Sequence, residues 1–142
     1  MEQWRPFDIK SFLKASRHWD DDIKTLREKH DDLSVLPASS DIPAAKTGTV
    51  SDITASAALR RLEISAQIEN ILLFKEMLDF ALKHLTEDES ELIRGFYYPV
   101  KPISVFVDEY GISHGMGRTT IYQERERIEN RLARIIEAAY YD

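Results

Sequence analysis

Apolar residues recur along most of this chain at alternating steps of three and four, the spacing of a helix with one buried stripe. Ile9, Phe12, Ser16, Trp19, Ile23, Leu26, His30 and Leu33 fall on one such seam, with Ser16 and His30 as polar interruptions. Lys10, Lys14, Arg17, Asp20, Asp21, Lys24, Glu28 and Lys29 occupy the other faces. The pattern predicts a single helix over 8–33 whose narrow apolar side wants a partner helix. Residues 34–51, SVLPASSDIPAAKTGTVS, break the rhythm with two prolines and a glycine and predict a flexible loop. A second long helix is expected from Asp52 to Leu85. Its seam is Ile64, Ile68, Ile71, Lys75, Leu78, Leu82 and Leu85, widened by Leu62, Leu72, Phe74 and Ala81. The two helices can pair antiparallel across the loop or self-associate, and the pattern favours neither.

The remainder predicts three helices. Thr86 is a good N-cap, and Glu89 three positions later completes a capping box. Leu92, Ile93, Phe96 and Tyr97 form the stripe of that helix, which Pro99 ends. Pro102 is expected in the first turn of the next helix, with Ile103, Phe106, Val107 and Tyr110 in the core and Gly111 as a left-handed stop. The last helix starts near Gly117 or Arg118. Ile121, Ile128, Leu132, Ile135 and Ala139 trace its buried face, while Thr119, Tyr122, Gln123, Glu126, Arg127 and Asn130 point the other way. The fold class is therefore all-α. A helical hairpin or coiled-coil-like part (1–85) precedes a three-helix part (86–142) in the order of a helix-turn-helix DNA reader.

Composition narrows the function. The chain has 142 residues, 43% hydrophobic and 31% charged, as expected for a folded domain. It has no cysteine, which excludes disulfides and thiolate metal sites. No run of 18 apolar residues and no secretory layout at MEQWRPFDIK leave a cytoplasmic protein with no membrane association as the simplest expectation. The net charge is −6, and residues 102–142 carry five Arg against seven carboxylates. Any nucleic-acid affinity must come from a local patch. No GxGxxG, P-loop or GxSxG pattern is present, so neither an enzyme nor a cofactor is expected. His18, His30, His84 and His114 lack ligand spacing, so no metal is expected. Asp20–Asp22 with Asp31–Asp32 read as a solvated face, and Glu87, Asp88, Glu89 and Glu91 as a helix start.

Leu85-Thr86 with Glu89, Leu92-Ile93, Tyr97-Tyr98, Ile103 to Tyr110, Gly111-Ile112-Ser113 and Arg118-Thr119-Thr120-Ile121-Tyr122 together carry a resemblance. Over about 55 residues this region resembles region four of bacterial sigma factors and, more closely, the phage late-transcription activators of the RinA and ArpU type. The resemblance implies a sequence-specific regulator in a bacterial host cell, bound to double-stranded DNA and contacting RNA polymerase. By position, Ser113 lies in the turn, and Arg118, Thr119, Tyr122 and Gln123 begin the recognition helix. The chain departs from the family in His114-Gly115-Met116-Gly117, a four-residue insertion at the turn, and in Gln123, Glu124 and Glu126 where basic residues are frequent.

Each candidate DNA contact has a plainer counterpart. Arg118 and Arg127 grip phosphates or pair with nearby glutamates. Thr119 and Thr120 donate to phosphate oxygens or cap the helix. Tyr122 stacks on the backbone edge or covers the core. Gln123 is the best candidate for reading a base, since its amide suits adenine. A homo-oligomer, with a dimer favoured, would compensate for a weak single reader. Two alternatives compete with the regulator: an acidic helical adaptor for a protein such as RNA polymerase or a repressor, and a small DNA-packaging protein like a terminase small subunit.

Overall fold

A computed structural model describes residues 7–35 and 47–141, with side chains described for 7–33 and 54–141. Among these residues the protein is all-helical, as the periodicity predicts. The six helices are α1 (Ile9–Ser16), α2 (Trp19–Val35), α3 (Thr47–Leu82), α4 (Glu87–Tyr97), α5 (Ile103–His114) and α6 (Arg118–Tyr140). None is long and apolar enough to cross a membrane. The chain divides into two compact units, one of Met1–Arg17 with Lys75–Asp142 and one of His18–Phe74.

The expected single helix over 8–33 is two. Asp8 caps α1 by accepting from the Ser11 amide at 3.1 Å, and the Ser16 hydroxyl turns back to the Leu13 carbonyl at 2.6 Å. A turn at Arg17–His18 separates α1 from α2, and Asp20, Asp21 and Asp22 fill the first turn of α2. Three carboxylates there face the positive end of the helix dipole. This run starts a helix and is not merely a solvated face. The seam itself survives the break, since no residue on it from Ile9 to Leu33 is exposed. The expected loop is also shorter at both ends. Ser34 and Val35 belong to α2 and Thr47–Ser51 to α3, while 36–46 lie outside the described residues.

In the His18–Phe74 unit, Trp19 meets Phe74 at 6.0 Å between ring centroids, and Arg61 donates to the Leu33 carbonyl at 3.2 Å. These contacts run in opposite senses along α2 and α3. Ile23 and Ile64 are buried between them in sequence, while Leu59, Leu62, Leu72 and Leu73 stay exposed.

The other unit gathers α1, the end of α3 and α4 to α6. Leu13, Met77, Ala81, Leu92, Ile93, Val107, Ile121, Ile128, Leu132 and Ile136 are its most deeply buried apolar residues. Helix α1 docks on α6, where the Phe7 amide donates to Glu137 Oε1 at 2.7 Å and the Phe7 and Tyr141 rings lie 5.8 Å apart. Ser16 and Tyr98 join hydroxyls across the same unit. The capping box of α4 is complete, with Thr86 accepting from Glu89 N–H and Glu89 from Thr86 N–H.

Four local expectations change. Pro102 is the N-cap of α5 rather than a first-turn residue, and Ile103 is 40% exposed. Gly111 does not stop α5, which runs on to His114, and the left-handed residue is Gly115 at φ 66°. The Gly111 carbonyl accepts from both Gly115 and Met116 amides. A Cβ on Gly111 would lie 2.5 Å from the Met116 carbonyl oxygen, so this glycine serves close approach. On α6, Ile136 and Ala133 take the places expected of Ile135 and Ala139, because the stripe drifts with the 3.6-residue turn.

Helix α4 packs closely on α5 at Gly95, where an added Cβ would overlap the Phe106 ring. Gly95→Ala is expected to cost about 1–3 kcal/mol in urea denaturation, the usual penalty of overpacking. Adding Phe106→Leu should recover part of that loss.

Candidate nucleic-acid interface

The exposed face of α6 is the surface that the sequence nominates. Thr119, Tyr122, Gln123, Glu126, Arg127 and Asn130 are all exposed, as are Arg118 and Thr120. Helix α6 begins directly after the glycine turn, with Gly117 as N-cap and no side-chain cap. Thr119 and Thr120 therefore do not cap the helix. Ser113 does not join this group. It lies on α5, before the turn, and borders a groove of about 400 Å³ with Glu91, Arg94, Tyr98 and Phe106.

The cations on this face have carboxylate partners. Arg118 reaches Asp108 Oδ1 through Nε at 3.1 Å and Nη2 at 2.8 Å. Arg127 bonds Glu124 at 2.8 Å and Glu89 at 3.0 Å. Arg131 bonds Glu89 at 3.1 Å and the His84 carbonyl at 2.9 Å. The Glu124 and Glu89 carboxylates hold the Arg127 guanidinium protonated even more firmly than usual, and Arg127 in turn holds Glu124 below the ordinary glutamate value. Exposed pairs of this kind contribute about 0–1 kcal/mol, so a phosphate can compete for Arg118 and Arg127.

Tyr122 covers the core only in part. It is 41% exposed, yet its ring lies 5.4 Å from Phe96. Arg125 sits over both rings, 4.7 Å from the Phe96 centroid and 5.3 Å from that of Tyr122. Behind it, Glu129 is 1% exposed and accepts from the Tyr97 hydroxyl, with Arg125 Nε 3.8 Å away. Burial and the Glu129 carboxylate push the Tyr97 hydroxyl well above its usual range. Glu129 lies one helical turn from Arg125 on the Ile121–Ile128–Leu132 stripe, and a polar residue on an apolar stripe was the available signal for it.

Two other groupings join residues distant in sequence. Glu89 links the start of α4 to α6 through Arg127 and Arg131. His114 has a side chain only 19% exposed and stacks on Tyr110 at 3.9 Å. Its Nδ1 meets the Tyr110 carbonyl at 3.0 Å, and its Nε2 lies 3.4 Å from Asp88 and 4.0 Å from Glu91.

No family model, curated protein or solved structure matches this chain.

Burial alone would raise the Glu89 carboxyl, but the Thr86 amide, Arg127 and Arg131 outweigh it and hold the group below its ordinary 4.5. A depressed folded value means that the stabilisation is complete above pH 4.5 and is lost as pH falls through the lower folded value. Glu89→Gln should destabilise the protein by about 1–3 kcal/mol at pH 7, the range for hydrogen bonds to charged groups. Urea denaturation from pH 7 downward should show the wild-type and Gln curves converging below pH 4.5. A constant gap between them would rule out this role for the carboxylate charge.

Proposed function

We propose that this chain is a sequence-specific DNA-binding transcription regulator of phage or prophage type, reading the major groove with residues 118–130. The observation that carries the reading is the first half of α6. It presents Arg118, Thr119, Thr120, Tyr122, Gln123 and Arg127 on an exposed surface behind a tight glycine turn. Its N terminus has no side-chain cap, which suits a phosphate oxygen at the free amides. The resemblance to the RinA and ArpU activators supports the same assignment and adds RNA polymerase as a second partner. Because Arg118 and Arg127 are engaged with carboxylates, single-site affinity should be modest, and a homodimer spanning two half-sites would raise it.

A second reading, an acidic adaptor for a protein partner, is favoured by the net charge of −6 and by the exposed Leu59, Leu62, Leu72 and Leu73 on α3. DNA binding separates the two. Fluorescence anisotropy on genomic fragments should show salt-sensitive binding. Arg118→Ala should weaken it on all sequences and lower the salt slope by about one. Gln123→Ala should remove about 1–3 kcal/mol of discrimination at one base pair. Neither change should move thermal stability appreciably, since both side chains are exposed. Absence of salt-sensitive binding overturns the regulator reading in favour of the adaptor.

A further inference from the structure

We propose that Asp88, Glu91 and His114 form a site for a divalent transition-metal ion of the zinc class. The three side chains offer one ligand atom each, all within 4.8 Å of one another, from the first two turns of α4 and the last residue of α5.

The Tyr110 carbonyl can only accept, so His114 Nδ1 carries the hydrogen of that 3.0 Å bond. His114 Nε2 then faces Asp88 Oδ1 at 3.4 Å and Glu91 Oε2 at 4.0 Å, an arrangement that either a proton on Nε2 or a metal cation among the three atoms satisfies. A ligand histidine whose other nitrogen is anchored to a backbone carbonyl is the usual arrangement at protein metal sites.

Tyr110 supplies a second, independent feature. Its ring stacks on the imidazole at an interplanar angle of 15°, and its hydroxyl donates to the Asp88 carbonyl at 3.3 Å. One residue thus orients the imidazole and also fixes the segment carrying a carboxylate. Such preorganisation is not required by a surface ion pair.

Distances and donor type select the ion. Ligands about 2.0–2.1 Å from zinc at tetrahedral angles lie about 3.4 Å apart. His114 Nε2 and Asp88 Oδ1 are 3.4 Å apart already, and Glu91, with its side chain 52% exposed, is free to close from 4.0 Å. One imidazole and two carboxylates favour zinc, cobalt or manganese over magnesium, which prefers oxygen donors and retains its waters. Bound ion would join α4 to α5 immediately before the turn into α6.

Calorimetry with the full chain, stripped by chelator and titrated with zinc chloride, tests the site. Saturable 1:1 binding is expected, with no comparable heat from magnesium and a Tm that rises with zinc. His114→Gln and the exposed pair Asp88→Asn with Glu91→Gln should each weaken binding by more than about tenfold, a loss seen even for residues one shell further out. Tyr110→Phe, which keeps the stack, should weaken it less. Cobalt substitution should give a visible spectrum that disappears in His114→Gln. Absence of 1:1 binding, leaving His114 merely protonated, overturns the proposal. So does zinc binding undiminished in the Asn/Gln double variant, which would place the ion on other histidines. Both readouts are independent of DNA, so this assignment stands or falls separately from the regulator reading.

Discussion

Glu89 is the junction that ties α4 to α6. Its two oxygens accept from the Thr86 amide, from Arg127 and from Arg131, so one side chain caps α4 and also neutralises two cations of α6. The geometry requires a carboxylate: an amide could satisfy the cap but not two guanidinium groups. It also constrains the exposed face, because the arginines nearest the middle of α6 are tethered toward the protein. On the proposed reading, approach to DNA means exchanging one set of anions for another. Gln123, Asn130 and the two threonines are neutral polar groups of that face and carry no such tether.

A buried counterpart stands behind the same helix. Glu129 holds the Tyr97 hydroxyl from α4, and Arg125 lies between this carboxylate and the faces of Phe96 and Tyr122. A buried charge costs several kcal/mol to desolvate unless it is paired and hydrogen-bonded. Here Glu129 Oε2 has the Tyr97 hydroxyl and the Arg125 cation 3.8 Å away, the two aromatic faces hold that cation, and Glu129 Oε1 and Arg125 Nε have no hydrogen-bond partner. The aromatic cluster therefore spans from core to surface, and Tyr122 belongs to both.

Much of this was legible before any coordinates, because helices obey local rules. The three-and-four rhythm marked every non-exposed residue of the Ile9–Leu33 seam, and Thr86 with Glu89 announced the start of α4. Breaks were harder. The apolar spacing runs on through the turn at Arg17–His18, so the rhythm shows no gap there. Only the run Asp20–Asp22 hinted at a new start. Gly111 and Gly115 look alike in sequence, and the choice between them depends on where Met116 folds back. Pairings such as His114 with Asp88 and Glu91, or Arg131 with Glu89, join separate helices, and no periodicity encodes them.

Helix α1 has a consequence for how the chain is made. Phe7 bonds Glu137, and Ile9 and Leu13 are buried in the unit that α6 completes. Contacts spanning nearly the whole sequence form late, because the intervening chain must be closed into a loop first. On the ribosome, the first helix has no finished surface to land on until the last helix has emerged. Helix α2 and the part of α3 up to Phe74 face no such delay, since their unit is complete with the first 74 residues. Synthesis therefore leaves a short amphipathic segment unsheltered for most of the time that the chain is growing.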